Sequence, residues 1–344
     1  MSALQRGLWY ALFAAIAFGA TTPLIALLGS GAGAWSTAGW LYLGSAIFAA
    51  AVEWKPVTLA HGFRRNAPLL TAIAVIGGML APAAYVIGLR DAGPFFASLT
   101  LNMEAPFSVA IAALAFREHI SRRVLVAMLA IVVGASILSA GGSAQSGLHA
   151  GVLLVVLATA LWALDNALSS RLGALDSRIT VFWKSAIGAV LSLITGALLH
   201  ESAGAPGAVL SLLLIGAVGY GASLVLYLRA QQTFGVARTA SVFATAPFIG
   251  AAGAVAIGRT PLNAAGIAAF AAMAFGAFLH ATERHAHRHH HHAQAHSHPH
   301  RHDDLHHDHT HDAPVAGEHV HSHDHTEIEH THDHAPDPEH SHTH

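Results

Sequence analysis

The chain has no cysteine among its 344 residues, and only 10% of them are charged. The first absence excludes disulfide frameworks and thiolate metal sites. The second, set beside a hydrophobic share of 53% and a mean hydropathy of +0.49, excludes an ordinary soluble surface, which needs about a quarter charged residues. No phosphate-binding loop, nucleophile elbow or spaced catalytic triad occurs, so nothing speaks for an enzyme. Nothing points to nucleic acid as a partner, and no cofactor is required by any motif.

What is present divides near Glu283 into two unlike polymers. Before that point, charges are widely spaced in Ala, Leu, Val, Ile, Gly and Phe. Apolar segments without a polar stripe cover 8–29, 34–52, 67–89, 94–116, 123–141, 150–170, 179–199, 207–228, 236–257 and 262–281. Each is long enough to cross the hydrocarbon core as a helix, which satisfies its own backbone groups. The first run is too long for the apolar stretch of a secretory signal, and nine similar runs follow, so it is read as a retained span. The expected fold class is therefore all-α, with ten transmembrane helices and lipid as the surrounding partner.

The ten spans divide into two fives. Tyr85, Gly93, Pro106 and Gly134 in the first half return as Tyr227, Gly235, Pro247 and Gly276 in the second. A duplicated unit with an odd number of spans must enter the membrane in opposite senses, which is the inverted-repeat plan of secondary transporters. The expected domains are a first repeat over 1–142, a second over 143–282 and a tail over 283–344. Lys55, Arg64, Arg65, Arg117, Arg122, Arg123, Arg171, Arg178 and Arg229 fall in the connections of one face, and only Arg90 and Arg259 in those of the other. By the excess of positive charge inside, both termini and the tail are expected in the cytoplasm, in a bacterial plasma membrane.

Ionisable groups inside spans are costly, by roughly 2.5–3.5 kcal/mol at a helix centre, and so mark candidate function. Four occur: Glu104, Asp165, Lys184 and Arg238. Glu104 lies near the middle of its span, two residues before Pro106, where a carboxyl group can carry a proton or hold a cationic substrate beside a weakened helix. Asp165 and Lys184 flank the turn at Gly173 to Asp176 at similar distances, which predicts a buried ion pair toward the cytoplasmic side, either structural or part of a gate. Asn166 offers a neighbouring polar contact. Arg238 begins its span and either snorkels to the interface or pairs with a substrate carboxylate. Pro23, Pro82, Pro106 and Pro247 interrupt spans, each as a kink or as a break that exposes backbone groups.

The stretch from Gly93 to Ser121 resembles the end of an EamA domain, the unit of the ten-span exporters in the drug/metabolite transporter superfamily. Ala97, Ser98 and Leu99 lead there to Asn102, Met103, Glu104, Ala105 and Pro106, then to Phe116, Arg117, Glu118 and His119. A second copy is similar through Trp162 to Asn166, Lys184, Gly219-Tyr220-Gly221 and Ala237-Arg238-Thr239. It departs where Arg259 stands in place of Glu118. Over about residues 8–281 the resemblance implies export of small polar metabolites or amino acids, proton-coupled or exchange-driven, along a path that includes Asn102 with the residues above. Some members carry histidine-rich ends.

The tail holds 24 of the 29 histidines, with twelve acids against three arginines from Glu283 onward. With few apolar residues it is expected to lack a fixed fold. His289, His290, His291, His292, His296, His298, His300, His319, His321, His323 and His325, with carboxylates between them, suit Zn²⁺, Ni²⁺, Co²⁺ or Cu²⁺. The tail is thus read as a metal-binding modulator. In an alternative reading the transporter carries a divalent metal or chelate that the tail supplies or senses, although no histidine or paired-carboxylate cluster lies along the spans. A membrane-anchored metal buffer without transport leaves the duplicated spans unexplained. Oligomeric state has no sequence signature here.

Overall fold

A computed structural model of the chain describes residues 3–52, 56–115, 120–140, 146–172, 177–234, 236–258 and 263–282, and four short tail segments at 286–291, 294–300, 319–325 and 328–333. The chain divides into two compact units, Met1–Glu283 and Arg284–His344.

Among the described residues the first unit contains ten helices long and apolar enough to span a membrane. They are α1 (Gln5–Leu28), α2 (Ala34–Val52), α3 (Asn66–Ala92), α4 (Pro94–Ala115), α5 (Arg122–Ala140), α6 (Ala150–Ser169), α7 (Ile179–Leu198), α8 (Pro206–Gln231), α9 (Arg238–Ala256) and α10 (Ala264–Ala281). Every boundary lies within three residues of its sequence expectation. The large apolar side chains left exposed, such as Leu125, Leu129 and Val133 on α5, fit a lipid-facing surface.

The helices pack across the repeat boundary more than within either repeat. α5 lies along α10, α2 along α7, α3 along α6, α1 along α8 and α4 along α9. These five pairings form one set under exchange of the repeats: α3 with α6 becomes α8 with α1, and the other three map onto themselves. Hydrophobic burial drives helix association weakly in lipid, so close packing of small residues must do it. At Gly134 an added Cβ would meet Met273 of α10, and at its repeat counterpart Gly276 it would meet the Ala127 carbonyl of α5.

Departures from regular helix are repeated as well. Ala74–Leu80 in α3 and Gly216–Ala222 in α8 are π-helical, 142 residues apart. α4 tightens to a 3-10 turn at Leu101–Met103 before Pro106, and α9 breaks at Ala244 and Thr245 before Pro247. α1 breaks at Ala20, before Pro23, and Pro82 follows the π segment of α3. All four prolines therefore sit just after an irregularity. A proline has no N–H for the preceding turn and its ring crowds the carbonyl there, so the helix relaxes upstream. Only Gly93 separates α3 from α4, at φ 82° and ψ 161°, a conformation essentially restricted to glycine.

In the second unit β1 (Ala286–His291) pairs antiparallel with β4 (Ile328–Asp333), and β2 (Gln294–His300) with β3 (His319–His325). The register sets His296 opposite His323, His298 opposite His321 and His300 opposite His319. The one-residue alternation of histidine has the period of a strand.

Candidate functional site

Glu104 is the first residue after the 3-10 turn of α4, and its half-buried side chain faces α6. There Asn166 Nδ2 donates to Glu104 Oε1 at 2.8 Å. The preceding residue on α6, Asp165, points into the bundle, is fully buried and forms an ion pair with Lys184 of α7. Lys184 retains 20% exposure. Asp165 Oδ1 has no hydrogen-bond partner among the described residues, leaving an acceptor open inside the protein. Lys184 and Asp165 are the charged groups in electrostatic reach of Glu104. One repeat thus contributes the glutamate and the other contributes the asparagine, aspartate and lysine.

The π segment of α3 forms the floor beneath Asp165. A Cβ on Gly77 would fall on the Asp165 carboxyl group, and one on Gly78 would meet the Lys184 carbonyl at 2.7 Å. Only glycines let the two elements approach so closely. The Gly77 carbonyl accepts from Tyr42 Oη at 2.8 Å and from Trp162 Nε1 at 3.1 Å, so α2 and α6 are both tied to the segment. A run of rings continues from there. Trp162 lies 5.5 Å from Tyr85, Tyr42 lies 5.6 Å from Tyr220, and Tyr220 meets Phe18 at 5.8 Å between centroids. Tyr85 is hydrogen-bonded to Thr22 of α1, and Ser45 meets Ser185 at 3.1 Å between α2 and α7. Tyr227, near the end of α8, lies in electrostatic reach of Glu104.

Of six path residues expected from sequence, the geometry gathers Glu104, Asp165, Asn166 and Lys184. Depth by residue counting separated Glu104 from the pair, yet Asn166 joins them. Asn102 is buried in that turn and donates from Nδ2 to the Leu99 carbonyl at 2.9 Å, which ties its side chain to the break in the helix. Arg238 opens α9 with an exposed side chain. Sequence reasoning missed Gly77 and Tyr42. The available signals were the Gly77-Gly78 pair ahead of Pro82, and the place of Tyr42, 142 residues before Lys184.

Among the described residues no group of three or more His, Asp or Glu side chains could hold a metal ion. Of the tail histidines singled out above, His292 lies outside the described residues. The others fall on three strands: His289, His290 and His291 on β1; His296, His298 and His300 on β2; and His319, His321, His323 and His325 on β3.

Comparison with known proteins agrees with this architecture. An uncharacterized transporter of Methanothermobacter thermautotrophicus (strain Delta H) is 27% identical over 219 residues, which span 62% of this chain and 64% of that relative. A solved crystal structure aligns with a TM-score of 0.55 over 81% of this chain and 98% of its own, at 16% identity, a likeness of fold alone. Residues 5–140 and 149–282 each match the EamA-like transporter family. Because both halves of the ten-helix bundle match it separately, the chain belongs to the EamA-like transporter family and is a multi-pass membrane protein.

Proposed function

We propose that the protein is a secondary active transporter that exports small polar metabolites or amino acids by alternating access. The observation that carries this reading is the polar cluster assembled by both repeats inside an apolar bundle: Glu104 with Asn166, and Asp165 with Lys184. Groups so costly in hydrocarbon are retained where they bind a polar cargo or a proton. Glu104 alternates between proton and cargo, while the open Asp165 Oδ1 and the Lys184 ammonium receive the polar ends of a small metabolite. The cycle breaks no covalent bond in the cargo, so no catalytic residue is assigned. The excess of Lys and Arg on one face supports a bacterial plasma membrane protein with both termini cytoplasmic.

The tail supports a modulating role through divalent metal, since neutral imidazoles alternate with carboxylates over most of its length. Metal as the cargo itself is the weaker reading, because the polar cluster offers carboxylates and an ammonium but no imidazole.

Glu104→Gln tests the proposal, because the amide keeps the volume and still accepts from Asn166 but cannot cycle a proton. Cells overproducing the unmodified chain should enrich a set of polar metabolites in the medium, measured by mass spectrometry. The variant, at equal membrane abundance, should lose most of that excess, because it can no longer exchange a proton for cargo. Undiminished export by Glu104→Gln would remove Glu104 from the path.

A further inference from the structure

Arg90 and Glu201 play no part in the polar cluster, yet both are built into a network at one end of the bundle. α2 begins after Gly33, and the first bond of its helix is Thr37 N–H to the Gly33 carbonyl at 2.9 Å. Gly33 has no side chain with which to cap the free N–H groups of that first turn. Glu201, in the connection between α7 and α8, does it from the other repeat: its Oε2 accepts from Ser36 N at 3.1 Å. That is the bond a capping side chain at position 33 would make, and a carboxylate there also meets the positive end of the helix dipole. A Cβ on Gly33 would collide with the Glu201 side chain, so the glycine is what admits it.

The backbone is arranged to aim Glu201. α7 ends with Glu201 N bonded to the Gly196 carbonyl at 2.9 Å and His200 N to the Ala197 carbonyl at 3.1 Å, a paired closure that puts His200 at φ 56°. Glycine is the usual residue there, and a histidine in this region is strained. Four further contacts tie the same end together: Gly33 N to the Ser202 carbonyl at 2.7 Å, Trp40 Nε1 to the Ala203 carbonyl at 2.9 Å, and Arg90 Nη2 to the Ala32 carbonyl at 2.7 Å and to Thr37 Oγ1 at 3.0 Å. Ala32, Ser36 and Thr37 are buried beneath them. The chemistry is not duplicated: 142 residues away from Arg90, Ser36 and Glu201 stand Gln232, Arg178 and Leu59.

We propose that Glu201 is the latch of the transport cycle: by capping α2 across the repeat boundary it holds this end of the bundle shut, and the end opens when Ser36 N–H is released. This rests on the alternating-access reading above. A latch confined to one end favours the state closed there, whereas the repeated backbone by itself favours neither.

The absence of cysteine makes the test direct. Ala38, fully buried and one turn above Tyr42 on α2, is replaced by cysteine as the sole thiol, and labelling by a membrane-impermeant maleimide is timed separately from each face in oriented vesicles. Ala38→Cys should react slowly from the latch face. Adding Glu201→Ala should speed that reaction at least about tenfold, and Glu201→Gln, whose amide oxygen still accepts, should fall between. If both Glu201 variants label at the parental rate, the latch is overturned while alternating access stands. If position 38 reacts from neither face even with Glu201→Ala, both fall together.

Discussion

Replacing Lys184 by methionine should cost far more than replacing Asp165 by asparagine, although the two changes break the same ion pair. Lys184→Met leaves the Asp165 carboxylate with no cation, and that group is fully buried with one oxygen already unbonded. Stranding a buried charge in this way costs about 3–5 kcal/mol. Asp165→Asn leaves the lysine, which keeps 20% exposure and an amide oxygen to bond, so the loss should be nearer the low end of about 1.5–3 kcal/mol for a hydrogen bond to a charged group. A double replacement, Asp165→Leu with Lys184→Met, removes both charges and should return to within about 1–2 kcal/mol of the parent, because a buried pair roughly breaks even with apolar side chains of similar volume. The assay is a double-mutant cycle on protein in detergent, with unfolding followed by circular dichroism and export measured in cells. A stable double variant that no longer exports would assign the pair to the transport path. Two single variants of equal and small effect, under about 0.5 kcal/mol, would mean that the pair behaves as a solvated surface contact and would refute the burial on which the site is built.

Three further outcomes are expected. Gly77→Ala should destabilise by about 1–3 kcal/mol through overpacking against Asp165, whereas Gly207→Ala, with nothing near its Cβ, should be neutral or gain up to about 1 kcal/mol of helix propensity; a Gly77 variant melting at or above the parent would place Asp165 elsewhere. Single cysteines at Arg65 and Gly142 test orientation in intact cells: an impermeant thiol reagent outside should label only position 142, and labelling at 65 would invert the topology. The full chain should bind several equivalents of Zn²⁺ or Ni²⁺ by calorimetry, and a chain ended after Glu283 should bind few. Binding should weaken as pH falls through about 6.5, where protons displace metal from imidazole. Tail-dependent binding that is indifferent to pH would exclude the histidines as ligands.

The span plan was legible because each of its signals is local. Apolar run length located all ten helices, and duplicated Tyr, Gly and Pro positions revealed the repeat. Antiparallel counting brought Asp165 to Lys184, since the α6–α7 turn is short. The rest depends on partners distant in sequence. The Gly77-Gly78 pair ahead of Pro82 is a local sign of close approach, but nothing local names Asp165 as the partner, because the contact crosses from one repeat to the other. Asn102 sits in a motif beside Glu104 and looked equivalent to it, but its side chain is bonded to the backbone one turn back, at Leu99. Glu201 lay unnoticed in a connection, where an acid carries no periodicity and its capping role appears only once α2 is placed beside it. The π segments left only glycines as a trace, and glycines are abundant throughout the bundle.

Symmetry of the backbone and asymmetry of the side chains have different work in such a molecule. The π segments, the breaks before Pro106 and Pro247, and the reciprocal contacts of Gly134 and Gly276 all recur at an offset of 141 or 142 residues. If the repeats exchange conformations during transport, this duplication supplies two end states with nearly the same packing, and hence with a small energy gap between them. The chemistry is one-sided. Lys184 has Tyr42 at its counterpart position, Glu104 has Thr245, and the carboxyl group lying on Gly77 is matched at Gly219 by the methyl group of Thr21. Because each charge lacks a counterpart in the other repeat, a bound proton or cargo does not interact equally with the two end states. That inequality is what allows a ligand to shift a balanced equilibrium, because a ligand with equal affinity for both states shifts nothing. A fully duplicated set of charges would have removed it.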